Sequence, residues 1–504
     1  MLSELKKIRQ NLLLIGALTA AVVYFAYFNL SSAVFYDPDS YYNIAVSGFI
    51  RHYGLHYHFH WARFSIFNTT FADKDLLLHL ISLPFLFLSK DPVTAGKYAL
   101  LFCVLIFFLS YSFILKHYLK GWLTAVFILA PLSSSVFSTY MLQLRSVIIA
   151  NSLLMLGAFC LIRKKSFWLL IISALLALCH GSFLVFALFA GICEGLRYAM
   201  EKEFYWKNIL AVVIGSISAL LLHPDFPNNF LILYLNSIIV PLDIVKGINL
   251  GFSGELLPFN TKFLFINNFA LFFCSAAVIW AMALARKRAG FASVCWLALF
   301  SIFLLLAVFS ARYWFQATFL GFIFCASYYS DLRNEEKQLK PAIKFPLIGL
   351  GIAAFLIFTP LNLRQLQEYR SFLAENSAAR EKAGRWMGKH IPAGETIYHS
   401  YWDDSAYFLC LNPKNDYINI GDPIYMFYAF PKESGLLEDL SLGRTDKPYA
   451  VIARIFKADY GYLRKNEPLL RQAVQDPEHF KIIYEDNGGT IFKIWLPPRD
   501  SNPD

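Results

Sequence analysis

Eleven apolar runs in this chain are long enough, or nearly long enough, to cross a bilayer. They lie at 10–30, 98–115, 122–141, 146–162, 167–180, 182–196, 208–222, 262–285, 291–309, 313–330 and 345–363. No other feature limits the fold as much. A run of roughly 20 apolar residues matches the hydrocarbon core, and inside that core only a helix or a closed barrel satisfies its own backbone. With 57% hydrophobic residues, 49 Phe and 28 Tyr, a water-soluble globule of this size would expose too much apolar surface. The expected fold class is a polytopic α-helical membrane protein. The formal charge of +10 does not point to nucleic acid as a partner, because basic clusters between apolar runs are what the positive-inside rule produces. Seven of the eight cysteines lie inside apolar runs and only Cys410 does not. They read as small buried hydrophobes and not as a disulfide or zinc framework. The apolar run after MLSELKKIRQ is too long for a signal-peptide core and reads as an uncleaved anchor.

The stretch at 75–89 decides the topology. If it lies flat at the interface, every basic segment falls on one side, and the N-terminus is cytoplasmic and the C-terminus outside. The outer face then receives loops 31–97 and 223–261, the turns at Leu144-Arg145, His180-Gly181 and Ser310–Arg312, and everything after 363. Two domains are expected: a membrane domain over 1–363 and a small extracytoplasmic α/β domain over 364–504. Strands are expected at 396–400, 416–420, 449–455, 480–486 and 489–495, and helices at 366–389, 433–441 and 462–476.

Choosing the sides by basic residues alone also gathers the isolated polar residues outside. Asp37 and Asp39 in "FYDPDSYYN" open a helix-like stretch, where either could be an ordinary cap. Glu255 lies in "GFSGELLPFN". Arg145 and Arg312 each stand at the outer end of an apolar run, where arginine also serves as an interfacial anchor. His180 sits at a tight turn. His52, His56, His58 and His60 in "RHYGLHYHFH" read as histidines of an aromatic-rich interfacial loop more readily than as metal ligands. Trp402, Asp403 and Asp404 in "SYWDDSAYF" follow an expected strand, at the edge where open α/β sheets bind ligands. Charged residues gathered at one membrane face point to a cavity with chemistry in it.

The order of these features resembles the glycosyltransferase C (GT-C) superfamily of polyprenol-dependent membrane transferases, including oligosaccharyltransferase catalytic subunits, protein O-mannosyltransferases and the lipid A aminoarabinose transferase. "DSYYNIAVSGFIRHYGL" is similar to the oligosaccharyltransferase pattern D-P-Y-Y-H, helix, R-H-G. "DKDLLLHLISLPFLFL" is similar to the flat helix of the aminoarabinose-transferase branch. "LQLRSVIIANSLLML" carries the arginine that begins the fourth span in several members, "GELLP" the glutamate of the later outer loop, and "YWDDS" a relative of W-W-D-x-G. "TYMLQLRSV" has no acid where oligosaccharyltransferases carry their second acidic pair, and Ser405 stands where their motif has Gly.

The resemblance implies a bacterial-type inner-membrane enzyme. It would move a sugar from a polyprenyl phosphate or diphosphate donor to a glycan, lipid or protein acceptor. Asp39 would be the base, with Asp37 beside it and Glu255 assisting. Arg312, Arg145 and His180 would hold the donor phosphate, and Trp402, Asp403 and Asp404 would lie on the acceptor side. A divalent cation (Mg²⁺ or Mn²⁺) shared by Asp37, Asp39 and Glu255 is an open expectation, because few acids converge. An oligosaccharyltransferase acting on protein Asn, or a non-catalytic glycan- or lipid-binding membrane protein, is the alternative.

Overall fold

A computed structural model of the protein describes residues 2–248, 254–285, 289–333 and 341–495. It is mainly helical, with one five-stranded sheet near the C-terminus. Among the described residues, four helices are each long and apolar enough to cross a bilayer: Ile8–Leu30, Pro92–Tyr118, Phe183–Glu201 and Phe291–Phe309. A fifth candidate, Thr261–Asn267 with Phe269–Trp280, is bent by 77° at Asn268. Several other apolar runs form shorter helices, among them Ser146–Ile162, Ser166–Cys179 and Trp206–Leu221. The run at 122–141 is divided into Trp122–Leu129, a 3₁₀ turn at Ala130–Ser133 and Ser135–Tyr140, because Pro131 cannot donate within a helix and three serines follow it. The stretch at 75–89 forms Leu76–Ser82 and a 3₁₀ turn at Leu83–Phe87 broken by Pro84. Helical geometry gives these twelve residues about 18 Å, well short of the hydrocarbon core.

The segment 31–97 opens with a helix whose first turn is acidic, Pro38–Tyr53, called the acidic helix below. Asp37 caps it, its carboxylate accepting from the Ser40 amide at 3.2 Å, Pro38 fills the first helical position, and Gly54 at φ +86° ends it. Tyr41, Ile44, Ala45 and Phe49 are buried.

A single helix of 50 residues, Pro341–His390, joins the membrane part to the C-terminal domain. At 1.5 Å per residue it is roughly 75 Å long. The sequence reading placed a span and a separate helix here. The apolar-to-polar change at 363 is a change of surroundings and not of backbone. Side chains along the rod hold both sides. The Asn362 amide donates to the Ser133 carbonyl. Arg370 lies over the Phe28 ring at 5.2 Å. Glu381 accepts from the Tyr41 hydroxyl at 2.8 Å.

The sheet order is β2-β1-β3-β5-β4, built from Thr396–His399, Asp416–Tyr417, Tyr460–Arg464, Phe480–Glu485 and Gly489–Ile494 as β1 to β5. β1 is parallel to β2 and β3, while β5 is antiparallel to β3 and β4. Two expectations are corrected here. Residues 449–455 belong to the helix Pro448–Arg454, since Pro448 at its first position starts a helix that buries Ile452 despite its β-branched composition. Residues 462–476 are divided between β3 and the helix Pro468–Gln475, because Pro468 fits only in a helix's first turn.

Residues 60–64 close the open edge at β2. Tyr417 donates its amide to the Trp61 carbonyl at 2.7 Å, and the amides of Arg63 and Phe64 reach the carbonyls of Tyr417 and Ile418 at 2.9 Å each. His60 and Arg63 both bond Asp416, at 3.0 and 2.9 Å. An exposed edge is thereby covered, and the sheet is fastened to the N-terminal part of the chain at a second place.

Candidate functional site

Four charged residues from four segments meet at the start of the acidic helix. Arg145 lies just before the helix Ser146–Ile162 with extended backbone, so its side chain is free to reach sideways. One nitrogen lies 2.6 Å from Asp39, and two form a fork on Glu255 at 2.9 Å each. Arg312, in the turn between two helices, reaches the same Glu255 at 2.7 Å. The Tyr140 hydroxyl donates to Glu255 at 2.9 Å. The result is an alternating chain, Asp39, Arg145, Glu255, Arg312, with two charges of each sign. Exposure grades along it: the side chains of Arg145 and Glu255 are 20% and 18% exposed, against 36% and 40% for Asp39 and Arg312. The two ends are the more exposed, and the middle is clamped.

Burial disfavours the ionised form of Glu255, but the two guanidinium groups outweigh it and hold the carboxyl below the usual range. Asp37 shows the opposite. Burial, with the Asp39 charge adding to it, pushes its carboxyl up, although Arg145 and two bonds from Ser40 act against the shift. The sequence thus places two aspartates two residues apart, and the fold gives one an arginine and the other a buried cap.

Lys74, Asp422 and Tyr425 join this face, and the sequence reading had not marked any of them as site residues. The Tyr425 phenol oxygen leads the groups that favour the Lys74 charge, against the cost of burial, and the carboxylates of Asp75, Asp39 and Asp422 add to it. His180 feels the fields of Asp75, Arg312, Lys74 and Arg145, and burial leads in pushing its imidazole down to about 4. It is therefore a neutral hydrogen-bonding group at neutral pH. A lone lysine or aspartate in a loop carries no spacing that marks it, so only the fold could have found these three.

Trp402, Asp403 and Asp404 lie one layer behind. Asp404 is fully buried, bonded to Arg380 at 2.6 Å and to Arg464 at 2.8 Å. Asp403 pairs with Arg464. The helix Asp404–Leu411 packs on the acidic helix through Tyr407, whose ring lies 4.4 Å from that of Tyr41. The motif's two acids are therefore engaged inside their own domain, and Tyr407 is what it presents toward Asp37.

Among the described residues no group of three or more His, Cys, Asp or Glu side chains converges as a cation site. The trio Asp37, Asp39 and Glu255 does not fit one as folded. Asp37 is turned to Ser40, and both oxygens of Glu255 are taken by guanidinium groups.

No family model and no curated protein matches this chain. Solved structures do. The Archaeoglobus fulgidus oligosaccharyltransferase tethered with an acceptor peptide containing the NVT sequon matches with a TM-score of 0.63 at 11% identity, over 96% of this chain and 74% of that one. The same organism's AglB, in complex with an inhibitory peptide and a dolichol-phosphate, gives 0.59 at 9%, over 92% and 70%. ArnT from Cupriavidus metallidurans bound to undecaprenyl phosphate gives 0.55 at 10%, over 95% and 97%. Likeness along nearly the whole chain at such low identity is likeness of backbone, and the chain has the fold of the GT-C membrane glycosyltransferases.

Proposed function

We propose that the protein is a membrane glycosyltransferase that moves a sugar from a polyprenyl phosphate or diphosphate donor to an acceptor on the extracytoplasmic side. The observation that carries this reading is the ionic chain Asp39–Arg145–Glu255–Arg312. Its two open ends have opposite sign, as a reaction that takes a proton at one atom and releases an anion at another requires.

At one end, Arg145 holds one oxygen of Asp39, leaving the other oxygen to accept the acceptor's proton. The acceptor oxygen or nitrogen attacks C1 of the sugar as that proton moves to Asp39, and the bond between C1 and the phosphate oxygen breaks. At the other end the departing phosphate meets Arg312, which spends one nitrogen on Glu255 and keeps the rest of its fork for oxygen ligands. Lys74 adds a second positive charge on the same face, and neutral His180 a hydrogen bond. The step needs no cation, so a chelator leaves the rate unchanged. Loss of turnover with EDTA and its return with Mg²⁺ would reassign Glu255. The flat stretch 75–89, the eleven-span count with the N-terminus cytoplasmic, and a bacterial inner-membrane location complete the reading.

Asp39→Asn and Arg312→Ala test it together. The first keeps shape and removes the base, so turnover should fall by about 10² to 10⁴ while donor binding persists. The second should weaken binding of a polyprenyl phosphate, measured by titration. Near-parental turnover in Asp39→Asn sinks the proposed base, and unchanged donor affinity in Arg312→Ala sinks the phosphate site.

A further inference from the structure

Beside the ionic chain lies a second polar system, built of the buried side chains Ser40, Asn43, His79 and Asp73. Leu144, the residue before Arg145, has both of its backbone groups held by the acidic helix. Its amide donates to the Ser40 hydroxyl at 2.8 Å, and its carbonyl accepts from the Asn43 amide nitrogen at 2.7 Å. Only the nitrogen of Asn43 can donate to a carbonyl, so the orientation of that side chain is fixed. Its oxygen therefore points at His79 Nε2, 3.0 Å away, and Nε2 must carry a hydrogen. The other ring nitrogen, Nδ1, lies 2.7 Å from Asp73 Oδ2. The second Asp73 oxygen already accepts from the Asp75 amide at 3.0 Å.

We infer that His79 donates from Nε2 to the Asn43 side-chain oxygen, and that it is a positioning residue for Arg145. This rests on the reading of Arg145 as part of the transfer site. With that hydrogen on Nε2, His79 fixes Asn43, Asn43 fixes the Leu144 carbonyl, and the peptide that launches Arg145 is set. A bare Nε2 would leave two acceptors face to face, and any rotation of Asn43 that relieved them would abandon Leu144.

The groups around the pair are few. Tyr42 and Tyr57 lie in the field of Asp73. Behind Asp73 stand Asp225, which accepts from the Asp73 amide at 2.9 Å, and His223, which bonds the Asp73 carbonyl at 3.0 Å. His56 lies 3.6 Å from Asp225 at the surface. Of the helices packed on Leu76–Ser82, Pro92–Tyr118 brings Cys103 and Lys97, Ser166–Cys179 brings Cys179, and Ser146–Ile162 brings Ser146 bonded to Asp75. Lys97 is spent on the Ser32 carbonyl, and Arg51, on the last turn of the acidic helix, is turned to the Leu86 carbonyl at 2.7 Å.

The experiment is nitrogen NMR on full-length protein labelled at histidine, with His79 assigned by comparison to His79→Gln, or to Asn43→Asp if that variant does not fold. The expected result at pH 7 is a His79 ring with Nε2 protonated. A bare Nε2 overturns the inference. In parallel, kcat and donor KM are compared among parent, His79→Gln and His79→Ala, because the glutamine nitrogen can still donate to Asn43. A kcat that falls in the alanine variant and is largely recovered in the glutamine one, with the donor KM unchanged in both, supports positioning. An equal fall in both overturns it. If the parent transfers no sugar from any polyprenyl phosphate donor, the transferase reading fails, and the NMR result still decides the state of His79.

Discussion

Asp37 makes a stability prediction that is separate from catalysis. Its folded-state carboxyl is raised relative to an unfolded aspartate, chiefly by burial and by Asp39. The folded protein therefore binds this proton more tightly than the unfolded chain does. Stability from this group is full below the unfolded value and is lost as pH rises through the folded one, at about 7. Asparagine caps a helix as well as aspartate does and does not ionise. Asp37→Asn should match the parent in melting temperature near pH 3, below the ordinary aspartate value, and exceed it near pH 8. A gap that is constant across that range would mean that Asp37 is an ordinary ionised cap.

Among the elements, the loop-to-sheet seam and the long helix do most to hold the site, and they differ in how readable they were. Arg145 and Arg312 could be singled out because each is a charge at the end of an apolar run, where a charge is costly without a purpose, and Asp39 and Glu255 because the stretches around them resemble motifs of the GT-C transferases. Lys74 and Asp422 sit in polar loops, where a charge costs little and so carries no signal. The strand at 460–464 was missed because "YGYLR" is short and contains a glycine, and its neighbours supply the pairing. Asp403 and Asp404 were readable as a motif, but their partners, Arg380 and Arg464, come from a helix and a strand far apart in sequence. Arg464→Ala leaves the fully buried Asp404 with Arg380 alone, and should cost about 3–5 kcal/mol in denaturant unfolding. Asp403→Ala removes a partly exposed pair and should cost no more than about 1 kcal/mol. Equal effects would mean that the two acids share one role.

For the whole molecule, the sidedness of the site depends on the short helix Leu76–Ser82 and its 3₁₀ extension lying flat. Single cysteines replacing Thr69 and Lys90, both exposed, should both react with an impermeant thiol reagent added outside intact cells. Reaction at only one of them would put 75–89 across the membrane and place the downstream outer turns on the other side.

The 50-residue helix Pro341–His390 also makes bilayer thickness a variable of the reaction. A spanning helix meets a thicker or thinner membrane by changing tilt, and on the proposed eleven-span topology this one crosses with no joint at the surface where the change could be absorbed. Tilt at one end becomes sideways displacement at the other, as in a lever. The part that moves carries Glu381, bonded to Tyr41 on the helix that holds Asp39. In nanodiscs made from lipids of graded chain length, turnover should pass through a maximum, with donor affinity changing little.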